Sequence, residues 1–279
     1  MSAKSETRDF LWFLAKLALF VFILRSFIVS PFNIPSESMQ PRLLIGDYLL
    51  VAKWPYGYSR YSLPFSVPLI PGRIFSSTPA HGDVVVFKAP PTQKNDYIKR
   101  VIGLPGDLIS VQEGTVYLNG QAVPRQKVAD LVIPVTPNMT EAANRAGDAS
   151  PCFRPSFEEA APGGGRQCRY PQFRETLPAG KDGPAKSYNV LDLIPDSPKD
   201  NFDTVLVPDG KLFMMGDNRD RSADSRFPAQ EGAGIGLVPQ ENLVGRALIS
   251  VFSTDGSANW LLPWTWVTAA RFDRIGEGF

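Results

Sequence analysis

Apolar and polar positions follow three rhythms along this chain. From Phe10 to Val29 every residue except Lys16, Arg25 and Ser26 is apolar, twenty positions in all. At 1.5 Å per residue they reach about 30 Å, the thickness of bilayer hydrocarbon, which predicts one transmembrane helix. No small-x-small pattern follows Leu24, so the segment reads as a retained anchor rather than a cleaved signal peptide. Lys16 and Arg25 have to snorkel toward opposite interfaces. A helix lying in the plane of the interface is the competing reading.

Past residue 60 the rhythm shortens. Asp83–Phe87, Tyr97–Ile102, Leu108–Val111, Val116–Leu118, Val205–Val207 and Ala247–Phe252 are brief, β-branched and bounded by Gly, Pro or Asp, as strands are. Asn119-Gly120 marks a hairpin. No pattern of helical period runs beyond two turns in this part, so the fold class is mainly β, an antiparallel sheet assembly behind one N-terminal helix. From Ala129 to Asp200 the chain turns polar and irregular, and Cys152 to Cys168 reads as neither helix nor strand. The expected organisation is a tail at 1–9, a membrane helix at 10–29, a first part of a β core at 30–128, an insert at 129–200 and a second part of the β core at 201–279. Within the last part Trp260, Trp264 and Trp266 lie among Leu261, Leu262 and Pro263, either as core packing or as an interfacial aromatic patch.

Composition narrows the function. The chain has 29 Lys plus Arg against 28 Asp plus Glu, so it lacks the basic excess of a nucleic-acid binder. One His and two Cys leave too few ligands for a zinc site, and no metal or other cofactor is expected. With 23 Gly and 26 Pro among 279 residues, turns are frequent, above the usual share of about 12%. The two cysteines, Cys152 and Cys168, are expected to form a disulfide in an oxidising compartment, with two reduced thiols as the alternative. Lys4 and Arg8 favour a short tail inside and the remainder outside.

The chemistry has to come from what is left. His81 precedes a strand in a turn and does not read as a catalytic histidine. Gly-x-Ser-x-Gly, Ser-x-x-Lys and phosphate-loop patterns do not occur. A serine can still be activated by a lysine of depressed pKa. In a strand Tyr97, Lys99 and Val101 share one face, where burial would favour the neutral amine. Taken by itself, that lysine reads as an ordinary side chain at a strand edge.

Four segments in order change this. They are Pro35-Ser36-Glu37-Ser38-Met39-Gln40-Pro41, Gly82-Asp83-Val84-Val85-Val86-Phe87, Tyr97-Ile98-Lys99-Arg100-Val101-Ile102-Gly103-Leu104-Pro105-Gly106-Asp107 and Gly216-Asp217-Asn218-Arg219-Asp220-Arg221-Ser222-Ala223-Asp224-Ser225-Arg226. Following a terminal membrane helix, the set resembles type I signal peptidases, membrane-bound serine/lysine proteases. The resemblance implies a signal-peptidase-like β fold, Ser38 as nucleophile and Lys99 as general base, with an oxyanion hole from the Ser38 N–H and the Ser36 hydroxyl. It implies that Ser222 holds the Lys99 amine and that Asp224 and Arg226 form a supporting ion pair. It also implies that Phe32, Ile34, Met39, Leu43, Tyr97 and Ile98 line shallow pockets for small side chains before the cut. Partners would be secretory preproteins and the lipid bilayer, and the location a bacterial inner membrane, single-pass, with the catalytic part on the periplasmic side.

Three departures stand out. Glu37 replaces a frequent Gly, Arg42 a usual Thr, and the chain from Phe227 to Gly236 is longer than the family pattern. Two other functions remain beside leader removal: a peptidase dedicated to one pilin, as in conjugation-linked relatives, and a membrane-tethered β module that binds peptides without cutting.

Overall fold

The computed structural model describes residues 3–179, 183–259 and 261–279. Helix α1 runs from Ala3 to Ile23 and passes through a wider helical turn, Leu24–Ile28, into an anchor strand, Val29–Asn33. The apolar helical stretch is therefore Glu6–Ile28, 23 residues and about 34 Å long, and Val29 is already a strand residue. Ser30 marks the change of geometry, its hydroxyl donating to the Arg25 carbonyl at 2.7 Å.

A seven-stranded antiparallel sheet forms the body. Its spatial order is Val29–Asn33, Asp47–Ala52, Leu243–Ser253, Val84–Lys88, Asp96–Gly103, Lys211–Met215 and Val238–Pro239. The apolar runs read as strands fall in strands with shifted ends: Tyr97–Ile102 lies within Asp96–Gly103 and Ala247–Phe252 within Leu243–Ser253, while Asp83 and Val207 lie just outside Val84–Lys88 and Phe202–Leu206. Val85, Phe87, Val101, Leu212 and Met214 pack on one side of this sheet, and Ile102, Phe213 and Met215 on the other. The second group meets Ile109, Val111, Val116 and Leu118 of a four-stranded sheet made by Phe202–Leu206, Leu108–Gln112, Thr115–Leu118 and Gln121–Ala122. Asn119 and Gly120 turn that hairpin with φ of 53° and 78°, the left-handed region a tight turn needs.

Residues 129–200 are more regular than their polarity suggests. Leu131–Pro134, Arg166–Tyr170 and Glu158–Ala160 form one three-stranded sheet; Gln172–Leu177 and Lys186–Leu191 join Arg125–Lys127 in another. Helix α2, Pro137–Ala146, begins at a Thr136 cap that accepts from the Met139 N–H and ends at Gly147 with φ 73°. The reading of Cys152 to Cys168 as irregular throughout is thus corrected, because Cys168 lies inside a strand. Cys152 and Cys168 are joined in a disulfide, buried with Ile133, Met139 and Tyr170.

Near the C-terminus helix α3, Trp264–Thr268, leaves Trp264 66% and Trp266 50% exposed, so these two are not core; Trp260 lies outside the described residues.

Candidate functional site

The turn after the anchor strand is fixed from below. Asp47 accepts from the Leu44 N–H at 2.8 Å, and its carbonyl accepts from Ile34 at the same distance. Ser253, Arg271 and Arg274 reach the Asp47 carboxylate from the C-terminal part. Met39 and Leu43 point into the core with Ile34, Leu49, Val84 and Ala247. That arrangement leaves Ser36 and Ser38 facing the opposite way. Neither Glu37 nor Arg42 has a positive φ, so the turn accepts both side chains without strain. Arg42 lies over the Phe279 ring at 5.3 Å and ties the turn to the end of the chain.

Lys99 comes from the centre of the sheet, where Val85 is its cross-strand partner. Its Nζ donates to Ser38 Oγ at 2.7 Å and to the Ile98 carbonyl at 3.0 Å. Ser36 Oγ lies 3.4 Å from Ser38 Oγ. Burial lowers the Lys99 pKa to about 8, against partial opposition from the Asp224 and Asp217 charges. Lys53 is lowered to about 8 by burial as well, but it sits over the Phe32 ring at 5.8 Å. A depressed pKa therefore does not by itself mark a base; the bond to a serine distinguishes Lys99.

The last motif wraps behind this pair. Gly216 is required: a Cβ there would stand 2.5 Å from the Ser38 carbonyl and 2.3 Å from Ser222 Oγ. Asn218 N–H donates to that same carbonyl at 3.1 Å. Asp224 and Arg226 form a buried two-point ion pair, 2.9 Å at each contact, and Arg226 also donates to the Lys199 and Arg219 carbonyls. The Arg226 guanidinium and the Gly216 N–H hold the Asp224 carboxyl below its usual pKa against the opposing effect of burial. The expected bond from Ser222 to Lys99 is not formed; the amine donates to Ser38 and Ile98. Ser222 lies against Asp224 and the Gly216 backbone instead.

A cavity of about 330 Å³ opens beside the pair, lined by Phe32, Ile34, Ser36, Ser38, Tyr97, Ile98 and Lys99 among others. Met39 and Leu43, expected in its wall, lie behind it: at 1% and 0% exposure they are core residues supporting Ile34. His81 is paired with Asp107 at 2.7 Å. Asp192, Asp200 and Asp220 are the carboxylates close enough to share a cation among the described residues, their oxygens within 4.8 Å of one another. Asp192 is paired with Arg125, and Asp220 accepts from the Leu193 and Ile194 N–H groups.

Several supports went unread in the sequence. Arg100, next to Lys99, holds Asp217 at two points, 2.8 and 2.6 Å, and Arg219 holds Glu175 at 2.6 Å, all buried. Arg221 bridges Glu37 beside Ser38 and Asp148 in the 129–200 segment. Arg100, Asp217, Arg219 and Arg221 fall inside the quoted motifs, but Glu175 and Asp148 carried no signal in a polar stretch.

The comparisons with known proteins agree over nearly the whole chain. A family model described as signal peptidase, peptidase S26, matches residues 7–252. A signal peptidase I of Rickettsia canadensis is 35% identical over 265 residues, 91% of this chain and 86% of that one. One from Rickettsia massiliae is 34% identical over 286 residues, covering 98% of this chain and 92% of its own. A crystal structure of a signal peptidase I from Enterococcus faecalis aligns with 61% of this chain and 97% of its own at 20% identity, with a TM-score of 0.29, a superposition too loose to bear on the fold.

Proposed function

The chain belongs to the signal peptidase family of peptidase S26, serine hydrolases, and from that membership we propose that it removes leader peptides from secretory preproteins with Ser38 as nucleophile and Lys99 as base. The observation that carries the dyad is the 2.7 Å contact between a buried amine and a serine hydroxyl. With a pKa of about 8 the amine has an appreciable neutral fraction near pH 7.5. It takes the Ser38 proton as Oγ attacks the scissile carbonyl. The Ser38 N–H and the Ser36 hydroxyl face the developing oxyanion, and a donor in that role is worth about 2.7 to 4 kcal/mol. When the tetrahedral intermediate collapses, the Lys99 ammonium protonates the departing amine, which is the new N-terminus of the mature chain. Water activated by the again neutral Lys99 then releases the leader from the ester on Ser38.

Specificity for small residues before the cut follows from the cavity. Its walls include the large side chains Phe32, Ile34, Tyr97 and Ile98, and in this reading the small residues before the cut sit against them. The leader lies extended between the edge strand Val29–Asn33 and the Asp96–Lys99 end of strand Asp96–Gly103, which Lys211–Met215 leaves unpaired. Helix α1 anchors the enzyme in a bacterial inner membrane with its catalytic part on the periplasmic side, where a disulfide persists. A module that only binds peptides would have no use for an amine held without water against a hydroxyl.

The deciding experiment is cleavage of a preprotein with an Ala-x-Ala leader by wild type, Ser38→Ala and Lys99→Ala, with mass spectrometry of trapped acyl-enzyme. Both variants are expected to lose turnover by several orders of magnitude while remaining folded; normal cleavage by either would overturn the dyad.

A further inference from the structure

Three cavities lie in sequence across one face. The first, about 950 Å³, runs along α1 at Leu17 and Val21 and shares Phe32 and Asp96 with the 330 Å³ cavity at Ser38. The second shares Pro35, Ser36, Arg221 and Ala223 with a third of about 750 Å³. For a preprotein whose apolar leader lies beside the anchor and whose scissile bond rests on Ser38, the third cavity, adjoining at Ser36, lies on the far side from the leader.

The walls of that cavity come partly from the first and last motifs, through Pro35, Ser36, Asp220, Arg221, Ser222 and Ala223, and partly from segments outside them. Helix α2 of the insert supplies Ala142, Arg145 and Ala146, and the extended 227–236 segment supplies Phe227, Pro228 and Gly234. Of its cations, Lys199 donates to the Asp220 carbonyl and Arg221 is held by Glu37 and Asp148. Arg145 stands exposed on α2 with no ion-pair partner among the described residues.

We propose that the 750 Å³ groove binds the first residues of the mature chain after the cut, and that Arg145 is a specificity-determining residue there, favouring an acidic side chain. The inference rests on the peptidase reading and deepens it. Arg145 also complements the C-terminal end of α2, but that role is indifferent to the substrate.

The test uses full-length enzyme in detergent–phospholipid micelles. Two substrates share an Ala-x-Ala leader and differ only in carrying Asp or Lys at the second and third positions after the cut. The ratio of their kcat/KM values cancels any common effect on folding or chemistry. An exposed ion pair is worth at most about five-fold, so wild type should prefer Asp by about that factor. Arg145→Lys should keep the preference, Arg145→Gln should bring the ratio toward one, and Arg145→Glu should reverse it. A ratio unmoved by Arg145→Glu, with both substrates still cut, overturns the groove assignment and leaves the peptidase reading standing. Failure of wild type to cut either substrate overturns both.

Discussion

Burial lowers the Lys99 pKa to about 8 from 10.5, outweighing the two carboxylates that would raise it. The catalytic consequence has a definite sign. Below pH 8 the ammonium form dominates and cannot take the Ser38 proton, so kcat/KM should fall about tenfold per pH unit; a pH–rate profile flat from 9 to 6 would contradict it. The stability consequence runs the same way. Between pH 8 and 10.5 the unfolded chain retains a proton that the folded chain has lost, so folding becomes more favourable as pH rises through that window. Below it the folded state carries the whole cost, about 3 kcal/mol for a shift of this size. Lys99→Met should therefore be inactive yet more stable at pH 7 by up to about 3 kcal/mol, with the difference vanishing toward pH 10.5, as urea unfolding at the two pH values can show. Ser38 and Lys99 were legible in the sequence through the ordered motifs alone, because the fold that joins positions 61 residues apart is not written near either. The Ser222 bond and the pocket places of Met39 and Leu43 were misjudged for a local reason: a motif identifies a neighbourhood, and only packing decides which way each side chain turns within it.

At the scale of elements, the last motif and the insert depend on buried charge and a covalent tie. Arg226→Met would leave the Asp224 carboxylate buried without its partner, a loss of about 3 to 5 kcal/mol. The double variant Asp224→Leu/Arg226→Met should recover much of it, and thermal unfolding of the three proteins makes the comparison. The disulfide closes a 16-residue separation, worth about 3 kcal/mol in the chain-entropy model, so Cys152→Ala/Cys168→Ala should lower unfolding stability by that order in the absence of reductant. Three strands of the main sheet, Val84–Lys88, Asp96–Gly103 and Leu243–Ser253, could be read from their β-branched apolar runs, whereas Asp47–Ala52 and Lys211–Met215 in the same sheet were not. The strands of the insert could not be. Arg166–Tyr170 and Glu158–Ala160 are joined by Arg166–Glu158, Arg169–Glu159 and Gln167–Glu159 contacts across polar faces, which leave no hydrophobic period. Helix α2 was missed although Thr136-Pro137 and Gly147 stand in the sequence as its start and stop signals.

At the scale of the molecule, α1 has the length of a span and its side chains are almost all exposed, Leu14 to Phe22 flanking a cavity whose other wall is Tyr61–Ser66. Full-length protein should stay in the membrane pellet through alkaline carbonate extraction and leave it only with detergent; release by carbonate would favour a helix lying in the interface plane. The exposed Trp264 and Trp266 give the catalytic part a second region suited to the headgroup layer. The anchor strand follows α1 directly and leads to the turn that carries Ser38. Its five residues span about 16 Å at 3.3 Å each, and every one is paired to Asp47–Ala52. With α1 in the bilayer as proposed, the enzyme is a fixed-height gauge standing on the lipid. A leader whose apolar stretch stops about five residues before its cut reaches the serine, whereas one that stops closer keeps its scissile bond below the blade.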